Sequence, residues 1–419
     1  MKNNIKKIPI IELITGSAIA QLITIIVSPI TTRIYSAEEL GIYSLLISLI
    51  TIIGPVLSLK LDMAIVTAKD EKKMYANMAL SIIVSIIISI ISSAIYFVYL
   101  EASNNLGANK NIYSLILFFI LLLSGFLNIL TSYNNRNKKY DIISKVYVIR
   151  TFIQNLGLIL FGILHFSVIG MLISQILGYL IGVGKQSKEL IPNIKKIKEV
   201  NKKELIEAFK ENYKLTVFTT PSTFLNALSY SILNFFITDL YGMEVLGYYS
   251  ISYRMLGIPI SIITTNVSKV FFESANSELQ QKGNFRNALK RNTVFLSIVS
   301  IIMVISLIVL GPWAFKVFFG NKWVISGQYV QILAIMFGIR FLVAALTPAF
   351  IITKKQNLEI RKQALFLISA LATYILCKKI SLNIYHFLFI ISISYSIIYI
   401  IMYINIYKLA KNGGENNEN

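Results

Sequence analysis

Arg33, Lys60, Asp62, Arg254 and Arg340 stand inside or at the ends of long apolar runs of this 419-residue chain. A charge near the centre of a membrane-spanning helix costs roughly 2.5 to 3.5 kcal/mol, so such residues are read as functional by default. Guanidinium groups offer bidentate, charge-assisted hydrogen bonds to anions, and an ammonium acts as a point charge. Arg254, Arg340, Arg33 and Lys60 are therefore the candidates for a cationic substrate-binding cavity. Asp62 is the candidate carboxylate for coupling to an ion. Read as one helix, residues two apart do not face each other, so Lys60 and Asp62 are expected to reach different partners. Inter-helix ion pairs, or snorkelling to the headgroups, would explain the same charges. Arg150 and Lys269 are read as headgroup anchors. Other site chemistry is sparse. The single cysteine is Cys377, the two histidines, His165 and His386, lie far apart, and no paired carboxylates or Ser-His-Asp set stands out. No metal, cofactor or catalytic residue is expected, and the chain is not read as an enzyme.

The elements that must position these charges are membrane helices. Apolar residues make up 55% of the chain and charged residues 14%, with a formal net charge of +20. Apolar runs of about twenty residues, each long enough to cross a hydrocarbon layer of about 30 Å, recur along its length. They lack the period of two that a barrel strand needs. The spans are expected at about 10–32, 41–66, 74–99, 112–133, 146–164, 168–183, 215–238, 246–272, 293–311, 327–353, 363–377 and 384–407. This predicts an all-α membrane protein of twelve transmembrane helices in two six-helix bundles: an N-terminal bundle 1–184, a basic cytoplasmic linker 185–214, a C-terminal bundle 215–408 and a disordered cytoplasmic tail 409–419. The linker reads either as an amphipathic surface helix and loop or as a solvated connection. Ala18-Ile19-Ala20 looks like a signal-cleavage site, but the apolar run continues past it, so a retained first helix is expected.

Charge sets the orientation. Outer links hold Arg33, Lys110, Lys316, Lys322, Lys378 and Lys379. Apart from the residues in or at the ends of spans, the other Lys and Arg, beginning with Lys2, Lys6 and Lys7, fall on the opposite side. The positive-inside rule then puts both termini in the cytoplasm. The basic excess points to an anionic leaflet surface and to no nucleic acid.

The two halves repeat. Tyr35 to Ser44 reads Y-S-A-E-E-L-G-I-Y-S, and Tyr241 to Ser250 reads Y-G-M-E-V-L-G-Y-Y-S. Identities pair Tyr35 with Tyr241, Glu38 with Glu244, Leu40 with Leu246, Gly41 with Gly247, Tyr43 with Tyr249 and Ser44 with Ser250. Such internal repeats mark membrane transporters, with the site between the halves. Pro29, Pro55, Pro221 and Pro259, and also Pro348, fall within the spans. Each removes a backbone hydrogen bond, which makes the first four candidate hinges or, alternatively, static kinks that help packing.

The first span, the run T-R-I-Y-S-A-E-E-L-G-I-Y-S and the run S-L-K-L-D-M-A-I-V-T-A-K-D-E-K-K at Ser58 to Lys73 resemble the opening of bacterial polysaccharide-biosynthesis membrane proteins, the Wzx-type repeat-unit flippases. The run G-Y-Y-S-I-S-Y-R-M-L-G-I-P-I-S at Gly247 to Ser261 is similar to the same family's eighth span. The resemblance places the chain in the multidrug/oligosaccharidyl-lipid/polysaccharide exporter superfamily. It implies two pseudo-symmetric six-helix bundles around a central cavity lined by spans one, two, seven and eight, which opens to each side in turn. The implied job is to move an undecaprenyl-diphosphate-linked oligosaccharide from the inner to the outer leaflet of the bacterial cytoplasmic membrane, for O-antigen, capsule or a related surface polysaccharide such as lipopolysaccharide. The implied partners are that lipid-linked oligosaccharide, membrane lipids and the polysaccharide polymerase and chain-length machinery. A monomer could hold the whole pathway. Tyr230, Asn226, Asn234, Gln21, Tyr253 and Asn266 are candidate walls for the sugar. The alternative is an H⁺- or Na⁺-coupled drug/cation antiporter of the same fold, which would need a buried carboxylate, Asp62 or the more peripheral Asp239.

Overall fold

The computed structural model describes residues 9–103 and 110–413. The lysines at 2, 6 and 7 and tail residues 414–419 lie outside that range. The described residues form helices and no strand: α1 (Pro9–Ile34), α2 (Ala37–Ile53), α3 (Asp62–Thr67), α4 (Glu71–Ser103), α5 (Lys110–Arg136), α6 (Tyr140–Ile163), α7 (Ser167–Gln186), α8 (Ile194–Lys198), α9 (Lys202–Lys214), α10 (Thr220–Lys282), α11 (Arg286–Phe319), α12 (Val324–Leu346), α13 (Pro348–Ile352), α14 (Gln356–Ile380) and α15 (Ile384–Asn412). Among these residues eleven helical segments are long and apolar enough to cross a membrane. The 63 residues of α10 would reach about 95 Å as one helix, far beyond the hydrocarbon layer. Gly242, with φ 85° and ψ 177°, breaks α10 into two arms. Counting both arms gives the twelve expected spans. The last helix runs through Asn412, past the expected start of the tail.

The chain separates into two compact units, Met1–Tyr35 with Leu45–Ala227, and Ser36–Ser44 with Leu228–Asn419. In the first unit α6 packs on α1 and α7, and α5 on α4 and α7; in the second, α12 packs on α11 and α15. Large apolar side chains on the outer faces, such as Ile87, Ile91 and Ile95 of α4 and Ile301, Ile305 and Val309 of α11, are exposed. Hydrocarbon, not water, is their solvent.

The repeated decapeptide has a structural explanation inside the second unit. A Cβ on Gly41 would fall on the carbonyl oxygen of Met243, and one on Gly247 would fall on that of Ala37. The two copies therefore cross reciprocally, backbone against backbone, and only glycine permits that approach. Leu40, Leu246, Tyr43 and Tyr249 are buried around the crossing. The preceding tyrosines also act alike. Tyr35 Oη donates to Leu158 O at 2.8 Å, and Tyr241 Oη to Leu382 O at 2.9 Å. The copies differ where the chain enters each helix. Ser36 and Glu39 form a reciprocal capping box (2.8 and 3.2 Å) at the start of α2, whereas Gly242 opens the second copy in the left-handed region.

The second span is not the continuous helix expected over 41–66. After α2 come a 3₁₀ turn at Gly54–Val56 and a non-helical stretch to Leu61. Leu59 (φ 49°) and Lys60 (φ 63°) occupy the left-handed region, which non-glycine residues seldom adopt. Proline at 55 cannot donate to Thr51 O, so the helix cannot run on unaltered. Asn128 Nδ2 instead donates to Gly54 O at 2.9 Å, and Arg136 caps the end of α3 by donating to Ile65, Val66 and Ala68 carbonyls at 2.5 to 3.3 Å. The spacing argument for Lys60 and Asp62 therefore fails, because the two residues do not share a helix. Pro221 follows a wide π turn over Leu215–Thr219, which accommodates the missing N–H by shifting the register. Pro348 begins α13, where α12 has ended. Pro29 and Pro259 lie within helices that continue past them.

The basic linker belongs to the first unit. Asn201 and Glu204 form a capping box for α9. The helix is pinned to the start of α4 by Lys72–Glu204 (2.7 Å), Lys73–Glu211 (2.6 Å) and an Asn212–Asn77 hydrogen bond (3.2 Å), and the segment before it by Lys196–Glu71 (3.0 Å). Ile206, Phe209 and Tyr213 remain exposed. It is thus a docked amphipathic helix, not a solvated connection.

The crossing makes a sharp prediction. Gly41→Ala and Gly247→Ala should each destabilise the detergent-solubilised protein by about 1 to 3 kcal/mol, while Gly184→Ala, where a Cβ meets nothing within 4 Å, should cost nothing. Thermal melting of the three variants checks this. Unchanged melting of Gly41→Ala would contradict the crossing.

Candidate functional site

In the first unit the broken second span opens a polar cavity of about 500 Å³, lined by residues of the break, α5, α6 and α7. Lys60 and Asp62 both line it. Ser58 Oγ donates a hydrogen bond to Asp62 Oδ1, so the buried serine, not Lys60, is the partner that holds the carboxylate. Lys60 is half-buried, and its ammonium has no hydrogen bond or ion pair among the described residues. Asn128, already bonded to Gly54 O, and the mutually bonded Thr131 and Gln186 (3.1 Å) fix the polar wall. Arg33 is not part of this wall. It is exposed in the last turn of α1, without a hydrogen bond or ion pair among the described residues.

Arg150 lies further from its helix end than expected. The sequence placed it near the beginning of a span and suggested a headgroup anchor, but α6 starts at Tyr140, six residues earlier than expected. That start puts Arg150 well inside the helix, half-buried in the cavity wall, with its guanidinium carbon 4.9 Å from the centre of the Tyr179 ring. The signal was present in the sequence. Asp141, Ile142 and Ile143 extend the helix backwards through a stretch that was read as a basic link.

In the second unit Arg340 sits in an aromatic cage. Its guanidinium carbon lies 4.8 Å from the Tyr230 ring centre, 5.3 Å from Phe337 and 5.6 Å from Tyr253. Nη1 donates to Tyr253 Oη at 2.7 Å. Tyr395 and Tyr399 enclose the cage from α15 through Phe366 and a 3.4 Å bond to Tyr230. The charge is held by quadrupoles and a phenol, and no carboxylate pairs with it among the described residues. Two of the side chains expected to meet sugar, Tyr230 and Tyr253, thus hold Arg340. Arg254 follows Tyr253 directly, about 100° further round α10. It is half-buried and makes no hydrogen bond or ion pair among the described residues, with Tyr43 as its electrostatic neighbour. Asp239, the peripheral carboxylate, is engaged by Lys378 Nζ (2.9 Å) and Tyr374 Oη (2.7 Å).

Comparison with known proteins agrees with this architecture. Residues 30–328 match the family described as Polysaccharide biosynthesis protein. The teichuronic acid biosynthesis protein TuaB of Bacillus subtilis (strain 168) is 25% identical over 131 residues, a match spanning 31% of this chain and only 27% of that relative. Among solved structures, an inward-facing multidrug resistance MATE family transporter of the MOP superfamily aligns with TM-score 0.65 and 15% identity over 95% of each chain. A MOP superfamily transporter from Pyrococcus furiosus, described by the reverse polarity of its binding pocket, aligns with TM-score 0.64 and 13% identity over 97% of this chain and 96% of that one. At these identities the likeness shows the fold alone, an all-helical one with many membrane-crossing helices.

The Tyr253 bond is testable apart from transport. Tyr253→Phe keeps the ring over Arg340 and removes the hydroxyl acceptor, which should cost about 1.5 to 3 kcal/mol, the range for hydrogen bonds to charged groups. Chemical denaturation in detergent reads the loss. Wild-type stability for Tyr253→Phe would mean that the bond contributes nothing.

Proposed function

Because the chain belongs to the polysaccharide biosynthesis protein family, we propose that it is a flippase carrying an undecaprenyl-diphosphate-linked oligosaccharide from the inner to the outer leaflet of the cytoplasmic membrane. The observation that carries this reading is electrostatic. Arg254 and Arg340 are half-buried within membrane-crossing helices, and among the described residues neither has an ion-pair partner. Uncompensated cations at that depth are costly, and an anionic cargo offsets the cost each time it enters. A diphosphate gives guanidinium groups the oxygen geometry they bind best. The name of the Bacillus subtilis relative, a teichuronic acid biosynthesis protein, supports a role in making a surface polysaccharide. Both termini are cytoplasmic in this reading, and the glycan is that of a surface polysaccharide.

A cation-coupled drug antiporter of the same fold remains the second reading, favoured by the MATE neighbours and by Asp62 as the carboxylate in a cavity. Proteoliposomes separate the two. With a radiolabelled polyprenyl-diphosphate oligosaccharide, purified protein should speed leaflet exchange, and Arg254→Ala at wild-type abundance should lower the rate at least tenfold, the effect of about 1.4 kcal/mol. Absent exchange, accompanied by drug efflux that depends on Asp62, would replace the flippase with the antiporter.

A further inference from the structure

We propose that the cavity of the first unit is a binding site in its own right for a phosphorylated, hydroxyl-bearing headgroup. Two cations, Lys60 and Arg150, and one carboxylate, Asp62, line it, which leaves one net positive charge for a phosphodiester or sugar phosphate. A cation entering the same space would meet that excess, so a sodium site is disfavoured. The backbone presents Lys60 from a left-handed turn (φ 63°). The Arg150 guanidinium carbon lies over the Tyr179 ring at 4.9 Å, and with no hydrogen bond or ion pair on its N–H groups among the described residues it can meet two phosphate oxygens. Asp62 keeps one oxygen beyond the bond from Ser58, able to accept from a ligand hydroxyl. Ser132 and Tyr147, also in the wall, make no hydrogen bond among the described residues.

Size and place fit the same class. About 500 Å³ is far more than a phosphate alone and falls within the range of small-molecule sites, with room for a phosphate and a glycerol or one sugar. Thr51 and Tyr147 are exposed at its rim. The lining residues lie toward the ends of α5 and α7 and the start of α6, beside the lysine-rich links where the headgroups of an anionic leaflet gather. The shared chemistry has two sources, phosphatidylglycerol from the bilayer or the sugar-diphosphate end of a polyprenyl-linked glycan.

The test is equilibrium binding to the full-length protein in detergent, titrated separately with phosphatidylglycerol and with a polyprenyl-diphosphate oligosaccharide. Lys60→Gln and Arg150→Gln should each weaken one of the two by roughly tenfold or more, whereas Lys379→Gln, on an exposed helix end, should leave both unchanged. Which ligand loses affinity names the source. If both variants melt like wild type and still bind both ligands with wild-type affinity, the proposal is overturned. A second measurement keeps the test open should those variants misfold. Ser132→Cys, in a protein whose native Cys377 is buried, should react with a charged thiol reagent severalfold more slowly in the presence of one ligand, and labelling unaffected by either ligand overturns the site. Both readouts are binding, so a failure of leaflet exchange would leave this inference standing, and the reverse also holds.

Discussion

The rule that backbone polar groups cannot go unpaired in hydrocarbon governs this molecule. It forces helices wherever the chain meets lipid, and it dictates what must stand beside every break. At Gly54 the replacement donor is Asn128, and at the end of α3 it is Arg136, which serves three carbonyls at once. At Pro221 the wide turn absorbs the defect. A break so supported creates space, and in the first unit that space is the polar cavity. The site chemistry thus follows from a helix that proline and a left-handed turn would not allow to continue.

The same solvent gives charge its meaning. The pairs on the linker, such as Lys72 with Glu204 and Lys73 with Glu211, are exposed and individually worth little; together they fasten α9 to α4. The membrane cations differ. Arg340 is screened by aromatic faces and one phenol, and Arg254 by less. A protein that needed these residues only for packing could neutralise them with carboxylates at low cost. Leaving them positive favours an anion that arrives and departs.

Much of the fold was legible in the sequence, because membrane helices write themselves as long apolar runs. The repeat was legible too, although its cause was not: Gly41 and Gly247 looked like family markers and are contact points, each excluding a side chain against the other copy's backbone. The failures were local. A proline in an apolar run announces a defect but not its extent, so the second span was drawn as one helix and Lys60 and Asp62 were spaced along it. Arg150 was placed too near a helix end because Asp141, Ile142 and Ile143, which carry α6 backwards, stand among basic residues that read as a link. The roles of Tyr230 and Tyr253 were out of reach, since a cage assembled from α10, α12 and α15 has no sequence spacing to reveal it.

The central claim is that the uncompensated membrane cations select an anionic lipid-linked cargo. The most direct measurement is the affinity of the detergent-solubilised protein for a polyprenyl-diphosphate oligosaccharide against the same oligosaccharide on an uncharged polyprenol. Loss of two or more charge-assisted contacts predicts that the neutral ligand binds at least about a hundredfold more weakly, with the difference shrinking in Arg254→Ala. Equal affinity for the two, or a preference for the uncharged one, would contradict it.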